Sequence, residues 1–207
     1  MAQNKSPNGK GRGRPRAYDP QAALHQALSV FWSTGYSGAS LDSIANAAGM
    51  NRPSLYAAFG DKHALYLKAL DHYWDIAHTA MEAALADNSL TLKQALTDLY
   101  ERQLAIYFSG DGLPRGCFII GTATTEAIED SHIRTLLSAR LSELDANLEA
   151  RLKIAQAGGE LKPDVDVGTL AGLASSLLHS ISIRARAGKS QEELSALARN
   201  AVNIICG

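Results

Sequence analysis

The sequence predicts an all-α protein of about nine helices, in which an N-terminal three-helix domain with a helix-turn-helix precedes a larger helical domain. Apolar residues recur every three or four positions, which is the period of an amphipathic helix, and no alternating strand pattern interrupts them. Ser or Thr followed three residues later by Glu or Gln forms two capping boxes, and Gly or Pro marks most of the other boundaries. The predicted parts are a disordered basic arm at 1–16, the helix-turn-helix domain at 17–61 and the second helical domain at 62–207.

Three short helices are predicted within the helix-turn-helix domain. Asp19, Ser40 and Asn51 each precede a helical pattern as an N-cap, and Gly49 lies in the turn between the second and third helices. Helices of about eight residues are not stable alone, so we expect the first helix to hold the other two in place. This arrangement presents its last helix to the major groove of DNA, whereas an ordinary αα-hairpin is the alternative.

The charge distribution favours DNA binding over the hairpin. Residues 1–60 contain six basic and two acidic residues, while residues 61–207 contain fourteen and nineteen. A basic N-terminal part with an acidic remainder suits a polyanion-binding module joined to a domain that stays off DNA. The arm resembles the core of an AT-hook, so Arg12, Arg14 and Arg16 are expected in a narrow minor groove; a solubilising tail is the alternative.

Residues 17–66 resemble the DNA-binding domain of the tetracycline-repressor (TetR) family of transcriptional regulators. The resemblance is carried by three strings: Ala-Leu-Ser-Val-Phe-Trp-Ser-Thr-Gly-Tyr-Ser-Gly-Ala-Ser at 27–40, Ile-Ala-Asn-Ala-Ala-Gly-Met at 44–50 and Ser-Leu-Tyr-Ala-Ala-Phe-Gly-Asp-Lys at 54–62. Ala57 and Ala58 depart from the family pattern, because many members carry Tyr or His there.

The resemblance, together with side-chain chemistry, implies a set of DNA-binding residues. Arg52 is the candidate for base recognition, since a guanidinium can donate two hydrogen bonds to guanine. Pro53 and Ser54 are expected near base edges or sugars, and Ala57 near a thymine methyl. The candidates for phosphate contacts are Tyr36, Ser40, Tyr56 and Lys62, and a core aromatic is the alternative for Tyr56.

Beyond residue 62 the spacing predicts six further helices. Their expected ranges are 62–86, 91–108, a sixth from near Gly116, 131–157, 164–187 and a ninth opened by Ser190 with Glu193. Residues 109–114 are expected to form a loop. The charged residues of the seventh helix, Arg140 and Arg151 among them, are expected on its solvated face.

The eighth helix predicts a dimer interface. It has no charged residue between Val167 and Ile183, yet its Gly, Ser, Thr and His content makes it too polar for a membrane span. We expect it to pack with the ninth helix against a second copy, so that the homodimer binds a palindromic operator; a central helix within one subunit is the alternative. The predicted interface residues are Leu170, Leu173, Ala174, Leu177, Leu178, Ile181, Leu194, Leu197, Ala201 and Val202.

The family resemblance implies a small-molecule effector pocket among helices four to seven, which controls the spacing of the two DNA-binding helices. The candidate pocket residues are Tyr73, Trp74, His78, Met81, Tyr100, Gln103, Tyr107, Cys117, Thr122 and Thr125, each with a core role as its alternative. Cys117 follows Arg115 at an expected helix start, and both a cation and a helix N-terminus lower a thiol pKa. A thiol-based redox or electrophile sensor is therefore an alternative to a binding pocket.

Other function classes find less support in the sequence. No phosphate-binding loop, His-Glu-x-x-His string, Cys-x-x-Cys pair or nucleophile elbow occurs, so no enzymatic activity, metal or cofactor is predicted. An enzyme that draws His25 and His63 together, or an architectural DNA protein that uses the arm alone, are the competing hypotheses. Two cysteines in 207 residues favour a reducing cytoplasm. The resulting prediction is a cytoplasmic, dimeric transcriptional repressor that a small-molecule effector releases from DNA.

Overall fold

The computed structural model describes residues 19–110 and 112–207, and within these ranges it contains nine α-helices and no strand. The all-α prediction is therefore confirmed. The helices are α1 Pro20–Gly38, α2 Leu41–Ala47, α3 Arg52–Phe59, α4 Lys62–Leu85, α5 Leu92–Tyr107, α6 Thr124–Glu126, α7 Ser131–Ala157, α8 Val167–Arg186 and α9 Gln191–Cys206. A π-helical segment, Ile119–Ala123, leads directly into α6.

Local capping chemistry sets most helix starts, as the sequence predicts. The side chains of Asp19, Asn51 and Asp61 each accept a hydrogen bond from a backbone N–H in the first turn of α1, α3 and α4. Thr91 with Gln94 and Ser190 with Glu193 form the two predicted capping boxes of α5 and α9. These caps satisfy N–H groups that a helix N-terminus leaves free.

The first apolar core joins the DNA-binding helices to the second domain. Phe31, Ile44 and Leu55, from α1, α2 and α3, are buried against one another and against the first half of α4. Gly35 has φ +74°, which breaks the helical geometry near the end of α1 and lets the chain turn towards α2. Phe118 and neighbouring residues of the π-helical segment complete this core from the other side.

The second apolar core lies among the second half of α4 and helices α5, α7, α8 and α9. Three partly buried residues, Trp74, Ile106 and Cys117, pack against both cores. We call these three residues the seam, because they lie where the two cores meet.

Two predictions about the second domain need correction. The sixth helix does not begin near Gly116: Gly116 has φ +64° and the π-helical segment begins only at Ile119. Helix α7 was expected to expose Arg151, but this side chain is 2 % exposed and donates from Nη2 to the carbonyl of Leu90 at 2.6 Å.

Among the helices of the described residues, none has the length and apolar character needed to cross a membrane.

Candidate DNA-binding face and effector cavity

Helix α3 divides into a buried side and an exposed side. Leu55 and Phe59 anchor it in the first core, whereas Arg52, Pro53 and Ala57 are exposed and Tyr56 is 64 % exposed. Ser54 is partly exposed, and its backbone N–H donates to the Asn51 cap at 2.8 Å. We call the exposed side of α3, with the N-terminus of α2, the DNA-binding face. Its shape matches that of a helix offered to the major groove.

Arg52 forms an ion pair that sequence reasoning missed. Its Nε lies 2.9 Å from Oδ1 of Asp42, in the first turn of α2, and both side chains are largely exposed. The pair crosses the turn of the helix-turn-helix. The two residues are ten positions apart, a spacing that does not by itself predict an ion pair.

Tyr36 of α1 and Lys62, the first residue of α4, lie in contact with each other. The Lys62 ammonium is 4.5 Å from the centroid of the Tyr36 ring, which also packs 4.8 Å from that of Tyr66. Burial raises the pKa of the Tyr36 phenol, and nearby Glu126 is the next largest cause. Tyr36 therefore stays protonated and can donate a hydrogen bond.

Ser40 is occupied in a local network. Its hydroxyl accepts from the backbone N–H of Ser43 at 3.0 Å, and its own backbone N–H donates to the Ser43 hydroxyl at 3.1 Å, so that the two residues form a further capping box. The predicted minor-groove residues Arg12, Arg14 and Arg16 lie outside the described residues.

A cavity of about 50 Å³ lies in the second domain, between α4, α5, the π-helical segment, α7 and α8. Of the predicted pocket residues, five line it: Tyr73, Trp74, Met81, Gln103 and Cys117. The lining residues that sequence reasoning missed are Ala77, Ile119, Ile120, Arg140, Leu141, Leu144 and His179, together with Leu178, which was expected in the dimer interface.

The other predicted pocket residues lie elsewhere. Tyr100 and Thr122 are buried and hydrogen-bonded, to the carbonyl of Ala174 and to Tyr66 respectively, and Tyr107 is buried in the second core. Thr125 is exposed on α6 and does not line this cavity. His78 lies on α4 next to the cavity residue Ala77 and pairs with Glu143, 3.3 Å from its Nε2.

Polar groups of the cavity are only partly satisfied. The buried Tyr73 hydroxyl and the Nε of Arg140 have no hydrogen-bond partner among the described residues. Gln103 donates from Nε2 to the carbonyl of Ala77 at 2.9 Å, and burial lowers the pKa of His179. An apolar cavity with a few converging polar groups is the usual form of a small-molecule site.

Cys117 lines this cavity, but the predicted lowering of its pKa is wrong. Burial is the largest influence and raises the pKa of the thiol, although the backbone of Ile120 and Ile119 opposes it as expected for a helix start. Arg115 does not assist: its guanidinium lies 4.2 Å from the centroid of the Trp32 ring and donates to the Ser109 carbonyl. The thiol is therefore the dominant form at neutral pH.

Trp32 connects α1 to the second domain. Its indole N–H donates to the Gly116 carbonyl at 3.1 Å, and its own carbonyl accepts from Nη2 of Arg186 at 2.8 Å. Arg186 also donates to the Gly121 carbonyl at 3.0 Å, and the Ser182 hydroxyl accepts from the Cys117 backbone N–H at 2.7 Å. We call Trp32, Gly116, Ser182 and Arg186 the junction, since they tie the DNA-binding helices to α8.

The predicted dimer residues fall on two sides of α8 and α9. Ala174, Leu178, Ile181, Leu194 and Val202 are at most 3 % exposed and fill the subunit's own second core. Leu173 and Leu197 face outward, while Leu170, Leu177 and Ala201 are partly exposed. Ile183 and Ile204 are exposed on the same two helices and were missed.

The expected approach of His25 to His63 does not occur. The His25 ring lies 6.1 Å from that of His72, whereas His63 Nε2 is 2.6 Å from Oδ2 of Asp130. Within residues 19–110 and 112–207, no group of three His, Cys, Asp or Glu side chains is arranged to hold a metal ion.

A helix-turn-helix domain followed by a helical domain with a cavity defines the class of one-component regulators with the tetracycline-repressor fold. Family models agree: residues 23–69 match "Bacterial regulatory proteins, tetR family" and residues 93–202 match "Tetracyclin repressor-like, C-terminal domain". The chain belongs to the TetR family of transcriptional regulators, as its sequence predicts.

Individual relatives span nearly the whole chain. The HTH-type transcriptional repressor ComR of Escherichia coli (strain K12) is 36 % identical over 91 % of this chain and 90 % of its own. A solved structure of the TetR family regulator CifR, a cysteine mutant complexed with 26-bp double-strand operator DNA, is 34 % identical with a TM-score of 0.78, covering 92 % of this chain and 98 % of that one. The reduced form of Escherichia coli NemR shares the fold, with a TM-score of 0.77 at 18 % identity over 91 % and 96 % of the two chains.

Proposed function

We propose that this protein is a homodimeric transcriptional repressor that binds a palindromic operator and is released by a small-molecule effector. The observation that carries the proposal is the DNA-binding face, on which Arg52, Pro53 and Ala57 are exposed while Leu55 and Phe59 fix the helix from behind. The ComR repressor and the operator-bound CifR structure support it.

Each exposed group of the face has a role in the proposal. Arg52 donates two hydrogen bonds to guanine, and Ala57 offers a methyl surface to thymine. Tyr36, Tyr56 and Lys62 hold phosphates and so fix the register of α3 on the duplex. Pro53 and Ser54 approach base edges or sugars, and Ser40 at the N-terminus of α2 lies close to the DNA phosphate backbone.

The outward faces of α8 and α9 supply the proposed dimer contact. Leu173 is 60 % exposed and Ile183 59 %, with Leu197 and Ile204 exposed on α9. Covering these side chains with a second copy removes apolar area from water, and a two-fold axis then places two α3 helices on successive major grooves, about 34 Å apart.

The cavity is the proposed effector site. At about 50 Å³ it holds little more than a water molecule or two, so an effector must displace side chains in order to enter. The displaced groups include Trp74 and Cys117, which contact both cores, so ligand entry shifts the cores relative to each other. Such a rigid-body shift changes the spacing of the DNA-binding faces and releases the operator.

Arg52 provides the direct test of sequence-specific binding. Duplexes selected by the native protein from a random pool define the operator, and single base-pair variants of it are then titrated with Arg52→Ala. Loss of a bidentate contact predicts that discrimination at one base pair falls by about 1–3 kcal/mol. Arg102→Ala is the matched control, because Arg102 is also exposed and ion-paired, to Asp98, but lies on α5. An unchanged base preference of Arg52→Ala would remove Arg52 from base recognition.

We further propose that the protein has no catalytic activity, works in the cytoplasm, and divides at residue 61 into its DNA-binding and effector-binding parts. The division is supported by the Asp61 cap, which begins α4 directly after α3. Limited proteolysis with mass spectrometry, with and without operator, tests it: protection by DNA should extend no further than the first turn of α4, where the phosphate contact Lys62 lies.

A further inference from the structure

We propose that Asp42 is a positioning residue that sets the base specificity of Arg52. The inference deepens the proposed function and rests on it, because it assumes that Arg52 contacts a base. It starts from the one ion pair that crosses the turn between α2 and α3 in the described residues. No other ion pair or hydrogen bond ties the Arg52 side chain to the protein within those residues.

The geometry leaves the useful part of the guanidinium free. Asp42 Oδ1 lies 2.9 Å from Nε of Arg52 in an ion pair, and no described residue accepts a hydrogen bond from Nη1 or Nη2, which form the outer end of the fork. Those two nitrogens are the ones that can donate in parallel to O6 and N7 of guanine. An arginine held at Nε loses less conformational freedom when it binds than one that is free in solvent, because part of that freedom is already lost.

The carboxylate of Asp42 also opposes binding to any DNA. It lies on the DNA-binding face and repels phosphates, whatever the base sequence. Asp19 is the other acidic residue of the helix-turn-helix domain. It caps α1, because its Oδ1 accepts a hydrogen bond from the backbone N–H of Gln21. Asp42 thus lowers affinity for every duplex and also improves the contact made on the correct one. Only the second effect raises specificity, because specificity is a difference of affinities between duplexes.

A merely structural role would leave a different signature. Asp42 lies in the first turn of α2, where a negative charge stabilises the helix. Loss of that effect alone lowers the stability of the fold and weakens binding to all duplexes together. It does not change the preference for one base over another.

Two substitutions remove the ion pair in different ways. Asp42→Asn removes the charge and keeps an acceptor oxygen, while Asp42→Ala removes both. Each is titrated against the selected operator, its single base-pair variants and a scrambled duplex of the same length. Asp75→Asn is the matched control, because Asp75 is an exposed acid on α4, outside the helix-turn-helix.

We expect both variants to bind the scrambled duplex about two- to fivefold more tightly at low salt, as for loss of one exposed charge interaction. Both variants should also lose about two- to fivefold in discrimination at the base pair that Arg52→Ala affects, because both remove the ion pair. Asp75→Asn should change neither quantity. In the double variant Asp42→Ala/Arg52→Ala, discrimination should equal that of Arg52→Ala alone.

Failure of this inference is distinguishable from failure of the proposed function. If Arg52→Ala alters one base preference and Asp42→Ala leaves it unchanged, positioning by Asp42 is refuted and base recognition by Arg52 stands. Equal weakening on all duplexes, with a lower unfolding midpoint by circular dichroism, would also refute it, because that result is the structural signature. If Arg52→Ala changes no base preference, the proposed base contact itself is wrong.

Discussion

Gly116 is the glycine at which the fold tolerates a side chain least. Its φ of +64° lies in the left-handed region, and a Cβ built on it would collide with the Ser182 carbonyl oxygen and lie 3.0 Å from the Ser182 hydroxyl. The obstacle is backbone of α8, so it cannot swing aside as a flexible side chain would. Gly116→Ala is therefore expected to strain the junction at its centre.

The magnitude follows from two costs. Left-handed backbone costs an alanine about 1–2 kcal/mol, and overpacking against a fixed neighbour adds about 1–3 kcal/mol. The free energy of unfolding should thus fall by about 2–5 kcal/mol. For a chain of 207 residues this corresponds to a loss of about 4–20 °C in the unfolding midpoint.

Thermal unfolding followed by far-ultraviolet circular dichroism measures the change in the unfolding midpoint. Gly112→Ala is the control, because its Cβ would meet nothing within 4 Å and its φ is not positive. It should be neutral or stabilise by up to about 1 kcal/mol, through lower entropy of the unfolded chain. A Gly116→Ala midpoint within 2 °C or so of the native value would refute this account of the junction.

Two further predictions concern the junction and the cavity. Trp32→Phe deletes the donor to the Gly116 carbonyl and should lower the free energy of unfolding, measured with denaturant, by about 2–4 kcal/mol. Trp74→Phe is the control, because the indole N–H of Trp74 has no partner within the described residues, and it should lower that free energy by less than about 1 kcal/mol. Equal losses in the two variants would contradict the role of the hydrogen bond. Burial lowers the pKa of His179 below its unfolded value near about 6.5, so the unfolded state takes up this proton first and stability falls as pH drops through that value towards the folded pKa. His179→Gln should therefore lose less of its unfolding midpoint than the native protein between about pH 7.5 and 5.5, with exposed His132→Gln as control, and an unaltered pH dependence would count against burial of a neutral His179.

Helix starts were predictable because their causes are local. Thr91 and Ser190 cap their own helices through residues three positions away, so the sequence contains both partners of each interaction. Asn51 likewise caps α3 through a residue three positions away. The inward and outward sides of α3 were predictable because this short helix packs against the first core alone.

The faces of longer helices were less predictable, since they depend on packing partners far away in the chain. The uncharged run of α8 has one side in its own core, with Leu178 and Ile181, and another exposed, with Leu173 and Ile183; absence of charge cannot tell these sides apart. Arg140 was expected in solvent, but its guanidinium lies 5.1 Å from the centroid of the Trp74 ring, a contact between α7 and α4 with no local signal.

Cys117 shows how two opposing influences decide a site. Its position before a helical segment was foreseen, and nearby backbone groups do favour the thiolate, but burial is the larger effect. Burial of this thiol depends on α4 and α8, whose approach the neighbouring residues do not encode.

The seam of Trp74, Ile106 and Cys117 bears on how such a regulator can change during evolution. Each core is filled by its own large buried side chains, Phe31 and Tyr66 in one and Leu96 and Leu148 in the other, so each keeps its packing when a seam residue is exchanged. If the cavity is the effector site, as proposed above, substitutions of its seam residues Trp74 and Cys117 would alter which molecule is sensed, and how strongly the signal reaches DNA, with little loss of folding stability. New input specificities would then arise here without any change in the operator that the chain recognises.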